Sequence, residues 1–191
     1  MIQKCRWAEK HPELTAYHDD EWGTPLKDSK KLFEAIVLDC AQAGLSWFTI
    51  LRRRDGYRAA FDDFEPQKVA AYTEKDMERL MADEQIVRNE AKIRSAIENA
   101  KVYCKMADRG IDFSNWLWAF VDHKPIVHYY KTEKEIPSTS ELSDRVAKSL
   151  KRRGFTFIGS TNTYAFMQAV GMVNDHIVSC FRHPDYQRDI L

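Results

Sequence analysis

Four residues near the two ends of the chain carry side chains that hold metals. Cys5 and His18 have twelve residues between them at one end, and His176-x-x-x-Cys180 stands at the other. Tetrahedral structural zinc takes four such thiolate and imidazole ligands, and a pair four residues apart on one helix can supply two of them. The duty would be structural, tying the termini together where both would otherwise fray. Spacing alone is met as well by hydrogen-bonded histidines and by cysteines buried as small apolar groups, the commoner use of both types. The two pairs also lie too far apart for a recognised finger. A second candidate is Asp39, seven positions after Leu32 and three after Ile36, which helical spacing turns onto an apolar face. A carboxylate there is costly unless bonded or put to use; the alternative is a helix that rotates or frays near Asp39 and leaves it solvated. Around these residues Trp7, Tyr17, Trp22 and Trp47 are dense enough to build either a core or a slot of base size.

The stretch VAKSLKRRGFTFIGSTNTYAFMQAVG reads as two amphipathic helices joined between Gly154 and Gly159. Gly159 would let the backbone approach a phosphate, and Ser160 and Thr161 open a helix whose free N–H groups favour an anion. Lys148, Lys151, Arg152 and Arg153 add positive charge, and Arg52, Arg53 and Arg54 form a second basic cluster. Taken singly, a basic helix end simply complements the helix dipole.

The elements that must position these residues are helices. Asp28 can cap SKKLFEAIVLDCAQAG, with Gly44 as its stop, and Thr73 can cap EKDMERLMAD, with Asp76 completing a capping box. RNEAKIRSAIENAKVYCKMADRG, DFSNWLWAFV, SELSDRVAKSLKRRG, STNTYAFMQAVG and the final NDHIVSC follow. Only HKPIVHYY and GFTFIG suit short extended pieces, so the class is mainly α. YYKTEKEIPSTS reads as a loop leaving the compact body. The 191 residues suit one domain or two small lobes sharing a core, and 44% hydrophobic with 30% charged residues excludes disorder and a coiled coil. Lys+Arg 29 against Asp+Glu 29 leaves no overall field, so any polyanion site must be local. With no signal-like start and no long apolar run, the expectation is a soluble cytoplasmic protein without a membrane partner. Four cysteines are too few for a disulfide framework.

Taken in order from about Cys5 to Cys180, the motifs CRW, YHDDEWGTP, LFEAI, QAGLSW, TILRRRDGYRAAF, KRRGF, YAFMQAVG and GMVNDH resemble those of the DNA-3-methyladenine glycosylase I family of bacterial base-excision repair. The resemblance implies an all-α helix-hairpin-helix glycosylase fold, a single domain over residues 1–191, with a zinc clasp joining the N- and C-terminal regions. It implies one structural zinc per chain on Cys5, His18, His176 and Cys180. Asp39, Tyr17 and Trp47 would contact the flipped base, in a pocket lined by Trp7 and Trp22. Gly44 and Leu45 would sit at the gap left in the duplex, and Lys151, Arg153, Gly159, Ser160 and Thr161 would hold the DNA. Two positions depart from the family pattern: Asp39 stands where glutamate is usual, and Leu14 where tyrosine is common. The implied activity is monofunctional excision of 3-methyladenine from double-stranded DNA, by a monomer with no required protein partner. The alternatives are a glycosylase retuned to another alkylated purine, and a non-catalytic zinc-containing module that binds or senses damaged DNA. Asp175, in VNDH, offers either a general base for water or a partner for a zinc-bound histidine.

Overall fold

The capping signals are met by hydrogen bonds in the structure, a computed structural model that describes residues 3–186. A 3-10 turn over Arg6–Lys10 leads into α1 (Pro12–Asp20). Asp28 Oδ1 accepts from the Lys31 N–H at 2.8 Å and starts α2 (Ser29–Gln42). That helix stops where Gly44 takes a left-handed φ of +77°, a conformation that costs glycine nothing. Short helices α3 (Trp47–Leu51), α4 (Arg54–Ala60) and α5 (Pro66–Ala70) precede α6 (Glu74–Ala82), which begins with the Thr73–Asp76 capping box. The long α7 (Glu90–Asp108) is capped by Asn89, and α8 (Phe113–Trp118) by Asp112. Last come α9 (Glu141–Arg153) and α10 (Ser160–Ala169), joined through residues 154–159.

Apolar stripes at helical spacing assemble two clusters. The larger joins Leu32, Phe33, Ile36 and Val37 of α2 to Ile93, Ile97 and Ala100 of α7 and to Phe166 and Met167 of α10. The smaller gathers Cys5, Leu14, Tyr17, Trp22, Leu51, Ile177 and Cys180 near the termini. Trp47 packs against both, so the space beside it lies on their seam.

Two local expectations fail. NDHIVSC is not a helix: Val173–Asn174 forms β2, paired in parallel with β1 (Ile126–Val127) in the register Ile126↔Val173. Asn174 Oδ1 then accepts from the His176 N–H at 3.2 Å, a local bond that competes with helix formation. GFTFIG makes no strand, because Gly154 (φ +104°) and Phe157 (φ +60°) turn the chain out of the extended path. Over the described residues the fold is therefore mostly helical with one two-residue parallel pair. Among the described residues no helix is long and apolar enough to cross a membrane.

Candidate active site and metal centre

Cys5 opens the first 3-10 turn, His18 lies in the last turn of α1, and His176 and Cys180 follow β2. They come together through a turn and not along one helix, with Cys180 N–H donating to the Ile177 carbonyl at 2.7 Å. All four are buried, and their donor atoms lie within 4.8 Å of one another. Cys180 Sγ is 3.4 Å from His18 Nε2 and 3.5 Å from His176 Nδ1, and Cys5 Sγ is 3.9 Å from His176 Nδ1. Zinc–sulfur bonds of about 2.3 Å and zinc–nitrogen bonds of about 2.0 Å imply tetrahedral edges of roughly 3.3–3.8 Å. The contacts of 3.4, 3.5 and 3.9 Å match these edges, and the wider separations, up to 4.8 Å, must contract for the four donors to hold one four-coordinate ion. The remaining ring nitrogens are occupied: His18 Nδ1 faces Asp19 Oδ1 at 2.7 Å, and His176 Nε2 faces the Trp22 carbonyl at 3.0 Å. These contacts select the tautomers that leave His18 Nε2 and His176 Nδ1 free to ligate. Asp19 is itself anchored by Lys4. A hydrogen bond from Cys5, with further ones from the histidines, holds the Cys180 thiol far below its usual range. The same contact, with burial, drives Cys5 up. Two buried sulfurs can thus share one negative charge unaided, whereas a divalent cation would accommodate two. Gly23 (φ +75°) belongs to this centre, since a Cβ there would lie 3.0 Å from His176 Nε2.

Asp175 is not the carboxylate behind a metal-facing histidine. Fully buried, it accepts from His128 Nδ1 at 2.6 Å, Tyr164 Oη at 2.7 Å and Gln168 Nε2 at 2.7 Å. It lines neither of the two cavities described next.

Tyr17, Asp39 and Trp47 meet Trp7 and Trp22 around a cavity of about 330 Å³. A neighbouring cavity of about 300 Å³ shares Tyr17, Asp39, Trp47 and Ala169 with it. The aromatic walls brace one another: Trp7 meets Trp22 edge-on at 5.1 Å between ring centres, and Tyr17 meets Trp47 at 5.2 Å. Asp39 stays helical and buried, 6% exposed, so its apolar-face position is real and the helix neither frays nor turns it outward. Its Oδ2 is closed off without a hydrogen-bond partner, and burial alone pushes its pKa well above the carboxylate range. Burial, then the nearby Asp39, raises the Tyr17 hydroxyl as well, which keeps it protonated. The Trp47 indole N–H is a buried donor without a partner. Leu14 is buried in the smaller cluster and lines neither cavity.

Sequence reasoning missed six wall residues, two of them Ala165 and Ala169 of α10. Gln42 and Gln168 belong to α2 and α10; Glu133 and Ile136 come from the loop expected to leave the body. That loop folds back: Glu133 Oε1 accepts from the Trp7 N–H at 3.3 Å, across 126 residues of chain. Nothing in the loop's own composition signals the contact. For Gln168 a signal existed, since YAFMQAVG places it one helical turn after Tyr164. Donation of Nε2 to Asp175 leaves its Oε1 as an acceptor.

Gly44 and Leu45 form the tip after α2, and Leu45 is 40% exposed. Lys92 Nζ donates to the carbonyls of Ala41 and Ala43 at 2.7 and 2.6 Å, a cation closing the C-terminus of α2. Lys148, Lys151 and Arg152 share a shallow surface concavity with Asp144, Ala147 and Ser160. Arg153 is not among them; its guanidinium lies over the Trp116 ring at 4.6 Å. Gly159 caps α10 with an open backbone, Thr161 is exposed beside it, and a Cβ at Gly159 would meet nothing within 4 Å. Of the second basic cluster, Arg54 is taken up by a two-pronged pair with Glu21.

The sequence matches the Methyladenine glycosylase family over residues 7–183. It is 49% identical over 183 residues to DNA-3-methyladenine glycosylase 1 of Escherichia coli (strain K12), covering 96% of this chain and 98% of that protein. It is 44% identical over 180 residues to DNA-3-methyladenine glycosylase of Haemophilus influenzae, covering 94% of this chain and 97% of the other. Among solved structures, a crystal structure of 3-methyladenine DNA glycosylase I aligns with a TM-score of 0.94 at 47% identity, covering 95% of this chain and 100% of that one. The Staphylococcus aureus 3-methyladenine DNA glycosylase I, solved for the structural basis of 3-methyladenine recognition, gives 0.91 at 36% identity, covering 96% and 97%. Sequence and backbone agree over nearly the whole length, and the chain belongs to the methyladenine glycosylase family.

Proposed function

We propose that the chain is a monofunctional DNA glycosylase that flips 3-methyladenine out of alkylated double-stranded DNA and hydrolyses its N-glycosidic bond in base-excision repair. The observation that carries this reading is the charge of the aromatic cavity. Its walls include Trp7, Tyr17, Trp22 and Trp47 with two carboxylates, Asp39 and Glu133, and no lysine or arginine. A flat cation suits such walls, through ring faces and through the acids. A 3-methylated adenine nucleotide is such a cation, whereas adenine is neutral. Asp39, raised by burial and lacking any counter-charge, gains one only when a cationic base enters. Gln168 Oε1 adds a second acceptor suited to the exocyclic amine.

The positive charge already weakens the glycosidic bond, and the base departs neutral without prior protonation. Selection is the harder task. Extrusion costs a few kcal/mol, less for a damaged base. Leu45, at the tip after Gly44, fills the gap left in the duplex. The backbone at Gly159 and the first turn at Ser160 and Thr161 take a phosphate, helped by Lys151. Arg153, stacked on Trp116, adds charge from farther away. No lysine lines the aromatic cavity, so water and not an amine receives the sugar. The Cys5, His18, His176 and Cys180 site suits one zinc per chain. With four protein ligands and no place for water, such an ion ties the termini together and supplies no Lewis acidity to the reaction. One subunit contains the whole site, and no partner protein is required.

Incubating the protein with methylated duplex and identifying the released bases by chromatography tests the reading. Free 3-methyladenine is the expected product. Release of a different alkylated purine instead, or tight binding of the damaged duplex with no release, overturns it.

A further inference from the structure

We propose that Thr163 is a positioning residue for Asp39, acting through one buried water that joins the threonine hydroxyl to the carboxylate oxygen turned away from the base cavity. The inference rests on the glycosylase reading for its catalytic consequence, but its geometry stands apart from it. Asp39 and Thr163 are 6% and 3% exposed. Asp39 Oδ2 and Thr163 Oγ1 are both shut from solvent with no hydrogen-bond partner in the protein, which folded chains rarely leave unresolved. The two residues wall one small cavity, whose other sides are chiefly Ile36, Leu150, Ile158 and Phe166. It holds about 10 Å³ of space for a water's centre, which is room for a single molecule. Cys40 also borders it, but its thiol is directed at the carbonyls of Thr156 and Phe157. Asn162 supplies a further polar wall, so a water there has the two or more partners that a buried site needs.

In this arrangement Thr163 O–H donates to the water, and the water donates to Asp39 Oδ2. The carboxylate is thereby held from behind, and Oδ1 is left toward the base. The contact also partly offsets the burial that otherwise favours a neutral Asp39. Thr163 belongs to α10, whose first turn takes the phosphate, so one helix both docks the DNA and aims the acid.

Thr163→Val removes the hydroxyl at nearly constant volume. Duplex affinity should stay at the parent value while single-turnover excision falls roughly ten- to a hundredfold, the cost of a misplaced catalytic group. Thr163→Ser should recover the rate to within a few-fold. In an Asp39→Asn background Thr163→Val should add no further loss, because the two residues act as one unit. A high-resolution crystal structure of the parent should show a water within hydrogen-bonding distance of both atoms, missing from Thr163→Val. Parent-like excision by Thr163→Val, a serine variant as slow as the valine one, or a dry cavity in the parent overturns the proposal. If the parent releases no base at all, the glycosylase reading fails, and the crystallographic result still decides the water bridge.

Discussion

A buried carboxyl without a counter-charge works against folding wherever the unfolded chain would ionise it. Asp39 has its folded pKa raised by burial, so the neutral form is the one the fold accepts. Its contribution is fully present below the unfolded pKa, about 3.9, and is lost as pH rises from there through the raised folded value. Asp39→Asn removes that loss. Thermal melts should therefore show the variant gaining on the parent as pH rises from 4 to 7, by about 2–4 °C for each kcal/mol recovered. Excision of 3-methyladenine should fall sharply in the same variant, because the amide carries no charge to favour a cationic base. A variant that excises like the parent, or melts lower at every pH, contradicts this account of Asp39. The residue could be singled out in advance because a carboxylate stands out in the stripe of Leu32, Ile36 and Val37, although spacing alone left open a helix that rotates or frays there. Glu133 was not, since it reaches the cavity only by a long-range fold-back that no local pattern encodes.

The helical hairpin of α9 and α10 separates what a fold needs from what a ligand needs. Gly154, at φ +104°, is required by the turn itself, whereas Gly159 has an ordinary φ of −127° and open space where a Cβ would go. Gly159→Val should lower the melting temperature by only about 2–4 °C, the cost of a poorer helix cap with no steric clash. On the proposed phosphate contact, DNA affinity should drop all the same, because the new side chain would stand in the phosphate's way. Lys151→Ala should weaken binding to every duplex alike and flatten the salt dependence by roughly one unit of slope. Equal affinity of both variants and the parent, measured by fluorescence anisotropy across a salt series, would place the DNA elsewhere. Helices of this kind were legible because their caps and stripes are local. The C-terminal NDHIVSC was misread because its ladder partner, Ile126–Val127, lies some 47 residues upstream, and pairing at that range overrides local periodicity.

At the scale of the whole molecule, the Cys/His cluster joins segments 171 residues apart, and the smaller apolar cluster includes both of its cysteines, Cys5 and Cys180. Elemental analysis of protein purified without chelator should find close to one zinc per chain. Cys180→Ser, or removal of the metal by a chelator, should cost several kcal/mol, because binding energy at a structural site is folding energy. A metal content near zero together with an unchanged melt for Cys180→Ser would dismiss the ion. The ligand types could be read from the sequence, but their convergence could not, since spacing says nothing about which distant segments meet. The same span also sets an order of events during synthesis. At 5–20 residues per second the ribosome delivers Cys180 roughly 10–35 s after Cys5. Throughout that interval Cys5 is a thiol without Cys180 and, until just before its end, without His176, open to oxidants that would spoil it as a ligand. The smaller cluster, which contains both Cys5 and Cys180, has no means of closing before translation reaches Cys180, and the larger one also waits for Met172 and Val173, so both complete only as the last ligand arrives.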